Sequence, residues 1–226
     1  MSLRREGPAG TPCDRGALSG IYRRQFEELS PLRRRICSLL NLRNVQRIYE
    51  PGCGTGLLGM ELMSLTGASY EGVDTDGGIL PDHPAFRQAD AITDPGSADL
   101  YVTSFFFSSL DDPVVWLKRV RRRMPPGGRF AVFAEYDYSA ARCETDPLLL
   151  DQLLGSLGKS GLCTEHGGRM DGYFRQSGFS KLHGGNVTSV SRVPDRGFLS
   201  IHLDEVPDPL PEMTWRIVWG IWRMDS

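Results

Sequence analysis

Apolar and polar positions recur along the chain with two periods. Ile21, Phe26 and Leu29 fall at helical spacing, and Ser30-Pro31 reads as an N-cap followed by proline at the first helical position. The helix it opens turns Leu32, Ile36, Leu39 and Leu40 inward. From residue 45 the texture becomes strand and helix in turn. Val45–Glu50 is a short apolar strand, followed by a glycine-rich turn and a helix (Leu57, Leu58, Met60, Leu62, Met63) closed by Gly67. Ser69–Asp74 predicts a second strand and Phe86–Ala89 a short third. Asp99–Phe107 is nearly all apolar, the pattern of a strand covered on both faces. Asp111, Asp112 and Pro113 start a helix through Val114, Trp116, Leu117 and Val120, which Pro125-Pro126-Gly127-Gly128 ends; Arg129–Glu135 is the fifth strand.

Strands alternating with helices at this spacing predict an α/β fold with a doubly wound, mostly parallel sheet. Pro147–Leu157 and Arg169–Ser177 read as two further helices, the second ended by Gly178. Two or three strands are expected among residues 179–193, 197–206 and 215–224. No internal repeat divides the chain, so residues 1–226 are read as one domain, with 1–18 loose and 19–44 forming an N-terminal helical cap.

Composition narrows the class. Hydrophobic residues make up 40% and charged residues 24%, ordinary values for a globular protein. No apolar run approaches the roughly 20 residues that cross a bilayer. The first 20 residues hold basic groups but no apolar segment behind them, so a cytoplasmic location with no membrane partner is expected. A net charge of −2 argues against a dedicated nucleic-acid binder. Residues 1–47 nevertheless carry ten Arg against four acids, and Lys118–Arg123 is a second basic run; both read first as solvated helix faces. The cysteines at 13, 37, 53, 143 and 163 form no C-x-x-C, and the four histidines are dispersed, so neither a disulfide framework nor a metal site is expected.

The chemistry concentrates in Glu50-Pro-Gly52-Cys53-Gly54-Thr-Gly56-Leu-Leu-Gly59, between a strand and a helix. Glycines there remove the Cβ atoms that would hold a ligand off the backbone, and they expose amides at a helix N-terminus. Gly54-x-Gly56-x-x-Gly59, with Asp74 twenty residues after Gly54, also satisfies the dinucleotide fingerprint. An acid just before the glycines is awkward beside a pyrophosphate, however, and favourable beside a cation. S-adenosylmethionine carries a sulfonium and an ammonium. Asp90, after the third strand, could accept from an adenine amino group.

Together these residues resemble those of class I S-adenosylmethionine-dependent methyltransferases, over residues 45–135 in particular. The resemblance implies a Rossmann-like sheet with an antiparallel C-terminal strand and helices on both faces. It implies that Glu50, Gly52, Cys53, Gly54 and Gly56 hold the methionine end of the cofactor. Asp74 and Thr75 would face the ribose, Asp90 and Ala91 the adenine, and Thr103, Ser104 and Phe105 the transferring methyl group. Ser108-Ser109 stands where many members carry a His pair, which removes one candidate base.

The expected reaction is methyl transfer to a small-molecule acceptor, leaving S-adenosylhomocysteine. Glu135 and Tyr22 are the candidate catalytic residues, with Tyr136, Asp137, Tyr138, His166, His183 and His202 as further groups. Phe105, Phe106 and Phe107 read as core, and Cys53 as a packing residue. A protein or RNA acceptor met by the basic helices, a nicotinamide-dependent oxidoreductase and a non-catalytic cofactor-binding domain remain as alternatives. A homodimer is compatible with the sequence. At 226 residues the chain is this core with little added, so acceptor choice falls to the segment around Tyr22 and to Tyr136–Arg175.

Overall fold

The structure, a computed structural model, describes residues 15–188 and 196–225. It opens with two helices, α1 (Arg15–Glu28) and α2 (Ser30–Leu40). Helix α1 begins inside the segment expected to be loose through residue 18; residues 1–14 lie outside the described residues. Leu29, not Ser30, is the cap of α2, and no side chain bonds there. Ser30 already lies in the first turn, and Pro31 occupies a place where a missing N–H costs nothing.

The alternating segment gives β1 (Arg47–Pro51), α3 (Leu57–Leu65), β2 (Ser69–Asp74), β3 (Phe86–Gln88), β4 (Leu100–Ser104), α4 (Pro113–Arg123) and β5 (Arg129–Arg142). It continues with α5 (Pro147–Lys159), α6 (His166–Gln176), β6 (Phe179–Thr188), α7 (Arg196–His202) and β7 (Thr214–Met224). One seven-stranded sheet runs in the order β3-β2-β1-β4-β5-β7-β6. Strands β1 to β5 pair in parallel, and β7 is antiparallel to both neighbours. Strand order reverses at β1 and β4, the place where doubly wound sheets open a crevice at their carboxyl ends.

Side-chain parity divides the core. Ile48, Leu100, Val102, Ala131 and Phe133 pack with α2 and α3 on one face, whereas Tyr49, Tyr101, Phe130 and Val132 pack with α4 and α6 on the other. Trp222 and Phe174 stack at 3.8 Å and 4° at the centre of the second face. A third cluster joins α5 and α7 to the far end of β5 through Tyr138, Leu153, Leu199 and Trp215.

Three departures from the sequence reading shape the site. Strand β4 stops at Ser104, because Phe105 takes a left-handed backbone (φ 54°) and the chain leaves the sheet into a short 3-10 turn at Phe107–Ser109. Strand β5 continues past Glu135 to Arg142 with register shifts on both flanks. Residues 196–202 form a helix, not a strand; Leu199 and Leu203, four apart, bury together beside α5.

Candidate active site

The carboxyl ends of β1, β2, β4 and β5 open into one cavity of about 300 Å³, roofed by α1 and α7. Its size is at the lower end for small-molecule sites, which span roughly 300–1,000 Å³.

The β1–α3 turn forms its floor. Gly52, Gly54 and Gly56 all have positive φ (66°, 53° and 71°), a backbone that residues with a Cβ rarely adopt. A Cβ on Gly52 would stand 2.7 Å from the Phe106 ring, and one on Gly54 would project toward Tyr22 of α1, 3.9 Å from its ring. Asp74, at the end of β2, fastens this turn: Gly54 N–H donates to Oδ2 at 3.0 Å and Asp76 N–H to Oδ1 at 2.9 Å. Asp74, Thr75, Asp90 and Ala91 all line the same end of the cavity. Ile92 N–H donates to Asp90 Oδ1 at 2.9 Å, and the buried Trp116 indole N–H donates to the Ala91 carbonyl at 2.8 Å, so the 90–92 loop is fixed from below.

Glu50 is almost wholly buried and lines the cavity. Burial pushes its carboxyl up to about 8, against a hydrogen bond from Tyr70 Oη that favours the charged form; nearby Asp74 raises it further. Space for that phenol comes from two glycines, since a Cβ on Gly59 or on Gly72 would collide with the Tyr70 hydroxyl. The third glycine of the fingerprint therefore makes room for a side chain that orients Glu50.

Glu135 is likewise buried and lines the cavity. The ladders of β5 slip beside it, between Thr103 and Ser104 on one side and between Val132 and Glu135 on the other, and such irregularities re-aim side chains. Phe107 N–H donates to Oε2 at 2.7 Å, which ties the carboxylate to the 3-10 turn, while Oε1 has no hydrogen-bond partner. Burial pushes this carboxyl up to about 7 against the Phe107 amide and Ser108. Around it stand Phe105, Tyr136 and Tyr138; Phe105 and Tyr136 stack at 4.7 Å, and Gln25 donates to the Tyr136 hydroxyl at 3.2 Å.

Thus Tyr22, Glu50, Gly52, Cys53, Gly54, Asp74, Thr75, Asp90, Ala91, Ser104, Phe105 and Glu135 converge on one cavity. Thr103 and Gly56 do not. Thr103 is enclosed within the sheet with its hydroxyl unpartnered, and Gly56 packs against Pro81 and Phe86, where a Cβ would clash. Burial and the charges of Glu50 and Asp74 push the Cys53 thiol far up, which makes it unreactive. Phe106 belongs to both core and cavity, whereas Phe107 is core alone. Asp137 turns away to pair with Arg216, and His166 is bound by Tyr173 Oη (2.9 Å) and the Leu110 carbonyl (2.8 Å). His183 lies on β6, away from the cavity, while His202 lines it from α7. Sequence reasoning missed Tyr70, whose signal is the pair of glycines flanking a strand tyrosine. It also missed Phe198 and Ile201, which a strand reading of α7 concealed. Among the described residues no cluster of His, Cys, Asp and Glu could hold a metal, and no helix is long and apolar enough to cross a membrane.

The cavity's donor set suits S-adenosylmethionine. A buried carboxyl with no cationic partner among the described residues, a glycine cradle into which a Cβ would intrude, and two loop-fixed aspartates meet the charges and hydroxyls of that molecule. Fold and site define a class I S-adenosylmethionine-dependent methyltransferase. The chain belongs to the methyltransferase-domain family, which matches residues 21–183, and S-adenosylmethionine is its cofactor. A Bacillus halodurans protein provisionally described as a methyltransferase superposes with a TM-score of 0.67 at 10% identity, covering 88% of this chain and 100% of its own. An S-adenosylmethionine-dependent methyltransferase of Mesorhizobium loti does so with a TM-score of 0.54 at 19% identity, covering 86% and 96%. At these identities the likeness is one of fold. No curated protein matches the chain in sequence.

Proposed function

We propose that this protein methylates a small-molecule acceptor enclosed beneath α1 and α7. The observation that carries the reading is the convergence of Glu50, Asp74 and Asp90, from three successive strand ends, on a cavity that also contains the buried Glu135. In this reading Glu50 faces the cationic methionine end of the cofactor, and the positions without a Cβ at Gly52 and Gly54 let that end approach the backbone. Asp74 and Thr75 accept the ribose hydroxyls, and Asp90 with Ala91 borders the adenine. Ser104 and Phe105 stand beside the reacting centre, with Thr103 next to them in the sheet, while Gly56 packs the glycine turn against Pro81 and Phe86. The bound cofactor supplies a methyl group already activated by the positive sulfur.

The chain's own work is then alignment, exclusion of water and proton handling. Alignment can be worth on the order of 7–11 kcal/mol at best. Tyr22 and the roof helices cover the acceptor on one side and reduce its contact with solvent. Glu135 Oε1 receives the acceptor's proton, and a carboxyl near 7 suits that task at neutral pH. A cavity of about 300 Å³ beneath two helices favours a small acceptor, which sets protein and RNA acceptors second.

The test is calorimetric titration with S-adenosylhomocysteine, followed by a screen of small molecules for a mass gain of one methyl group. Binding of S-adenosylhomocysteine and a methylated small molecule are expected. Binding to NAD(H) instead, or methylation of RNA or protein alone, would overturn the reading.

A further inference from the structure

Four carboxylates line the cavity: Glu50, Asp74, Asp90 and Glu135. Under the function proposed above, on which this inference rests, the cofactor engages the first three and leaves Glu135 to the acceptor. Against them stands one permanently charged base among the lining residues, Arg33, and it is committed. Its Nε lies 2.8 Å from Glu61 Oε2, its Nη1 donates to the Phe26 carbonyl, and its guanidinium sits 3.3 Å over the Phe26 ring. Burial lowers the pKa of His202, which disfavours its cation. Among the described residues, the acceptor end therefore offers no uncommitted cationic side chain to neutralise a carboxylate or phosphate.

It offers the opposite. Glu135 Oε1 is buried without a partner, and an acceptor atom in that condition calls for a donor on the ligand. The cavity walls that Glu135 shares are apolar and aromatic: Phe105, Tyr136 and Tyr138 from the sheet side, Leu157 from α5 and Phe198 from α7. Ring faces attract a cation as well as a flat apolar body. We infer that the acceptor is an amine on an apolar, ring-bearing scaffold, entering as its ammonium cation and held by Glu135. An ammonium satisfies Oε1 and offsets the burial of a carboxylate, which a neutral hydroxyl does only in part. The proton balance closes at the same atom: the ammonium gives one proton to Oε1, the carboxylate becomes a carboxylic acid, and the nitrogen keeps the freed lone pair.

The experiment measures binding, with the full chain saturated with S-adenosylhomocysteine. Matched amine, alcohol and carboxylate versions of phenyl, indolyl and naphthyl scaffolds are titrated calorimetrically against the native protein and Glu135→Gln. The expected result is an amine that binds about tenfold or more tighter than its matched alcohol, as a charge-assisted hydrogen bond implies, with the carboxylate weakest. Glu135→Gln should abolish that preference while leaving S-adenosylhomocysteine affinity within about twofold, with a cooperative melt confirming that it folds. An equal or better alcohol or carboxylate, an unchanged preference in Glu135→Gln, or no binding by any amine would overturn the inference. Failure of S-adenosylhomocysteine to bind would instead overturn the proposed function beneath it.

Discussion

Cofactor binding should release a proton from Glu50, and the structure sets the size of the effect. The carboxyl is buried, accepts a hydrogen bond from the Tyr70 hydroxyl, and is pushed up to about 8. At pH 7 roughly one molecule in eleven then carries it ionised, so a ligand that needs the charged form loses about 1.4 kcal/mol, or tenfold in affinity. Raising the pH to 9 removes most of that cost. Affinity for S-adenosylmethionine should climb about tenfold per pH unit below 8 and level off above it. The ligand's own amino group titrates nearby, so the comparison is with Glu50→Gln, in which that contribution remains and the Glu50 slope disappears. A charge-assisted hydrogen bond is worth about 1.5–3 kcal/mol, so the variant should lose that much at pH 9 and about 1.4 kcal/mol less at pH 7. Calorimetry in two buffers of different ionisation enthalpy reads the released proton directly. Parallel pH profiles for the native protein and Glu50→Gln would refute the reasoning.

Three further outcomes follow from neighbouring residues. Tyr70→Phe removes the hydrogen bond that favours ionised Glu50, so the plateau of the affinity profile should move to higher pH, read by the same titration. Alanine for glycine inside a helix ordinarily stabilises by about 1 kcal/mol, but Gly59→Ala in α3 collides with the Tyr70 hydroxyl and should lower the melting temperature, by about 1–3 kcal/mol of stability. Glu135 sits at about 7 in the folded chain against an ordinary 4.5, so its contribution to stability is complete below 4.5 and is lost as pH rises toward 7; the cost at pH 8 is about 3 kcal/mol. Unliganded protein should therefore melt lower at pH 8 than at pH 5.5, and Glu135→Gln should reduce that dependence in a calorimetric scan, leaving the share that Glu50 contributes with the same sign.

Much of the frame could be read from the chain because local signals and tertiary demands agree there. Asp112 does cap α4 by accepting from Val115 N–H, and Ser69–Asp74 is a strand at the bounds its apolar pattern predicts. The acids at strand ends were visible for the same reason: in a parallel sheet, chain order fixes which ends face the crevice. What escaped depends on long-range contact. The three phenylalanines at 105–107 read as one strand, yet the left-handed turn at Phe105 sends one ring to the cavity and another to the core. Helix α7 is only seven residues long, so packing against α5 outweighs its own pattern. The pairing of Tyr70 with Glu50 spans twenty residues and needs two glycines on different elements. Nor does any pattern of residue types disclose that Glu135 Oε1 lacks a partner.

The roof of the cavity joins segments far apart in the chain, since α1 and α7 pack together with Tyr22 and His202 both lining the cavity. An occupant that touches both helices acts as a reversible cross-link across most of the chain's length. Ligand at a hundred times its dissociation constant adds about 2.7 kcal/mol to unfolding, and part of that increment is kept at α1 and α7. Hydrogen exchange at α1 and α7 thus becomes a gauge of occupancy: cofactor on the floor alone leaves these helices fraying, and only a molecule beneath the roof slows them together.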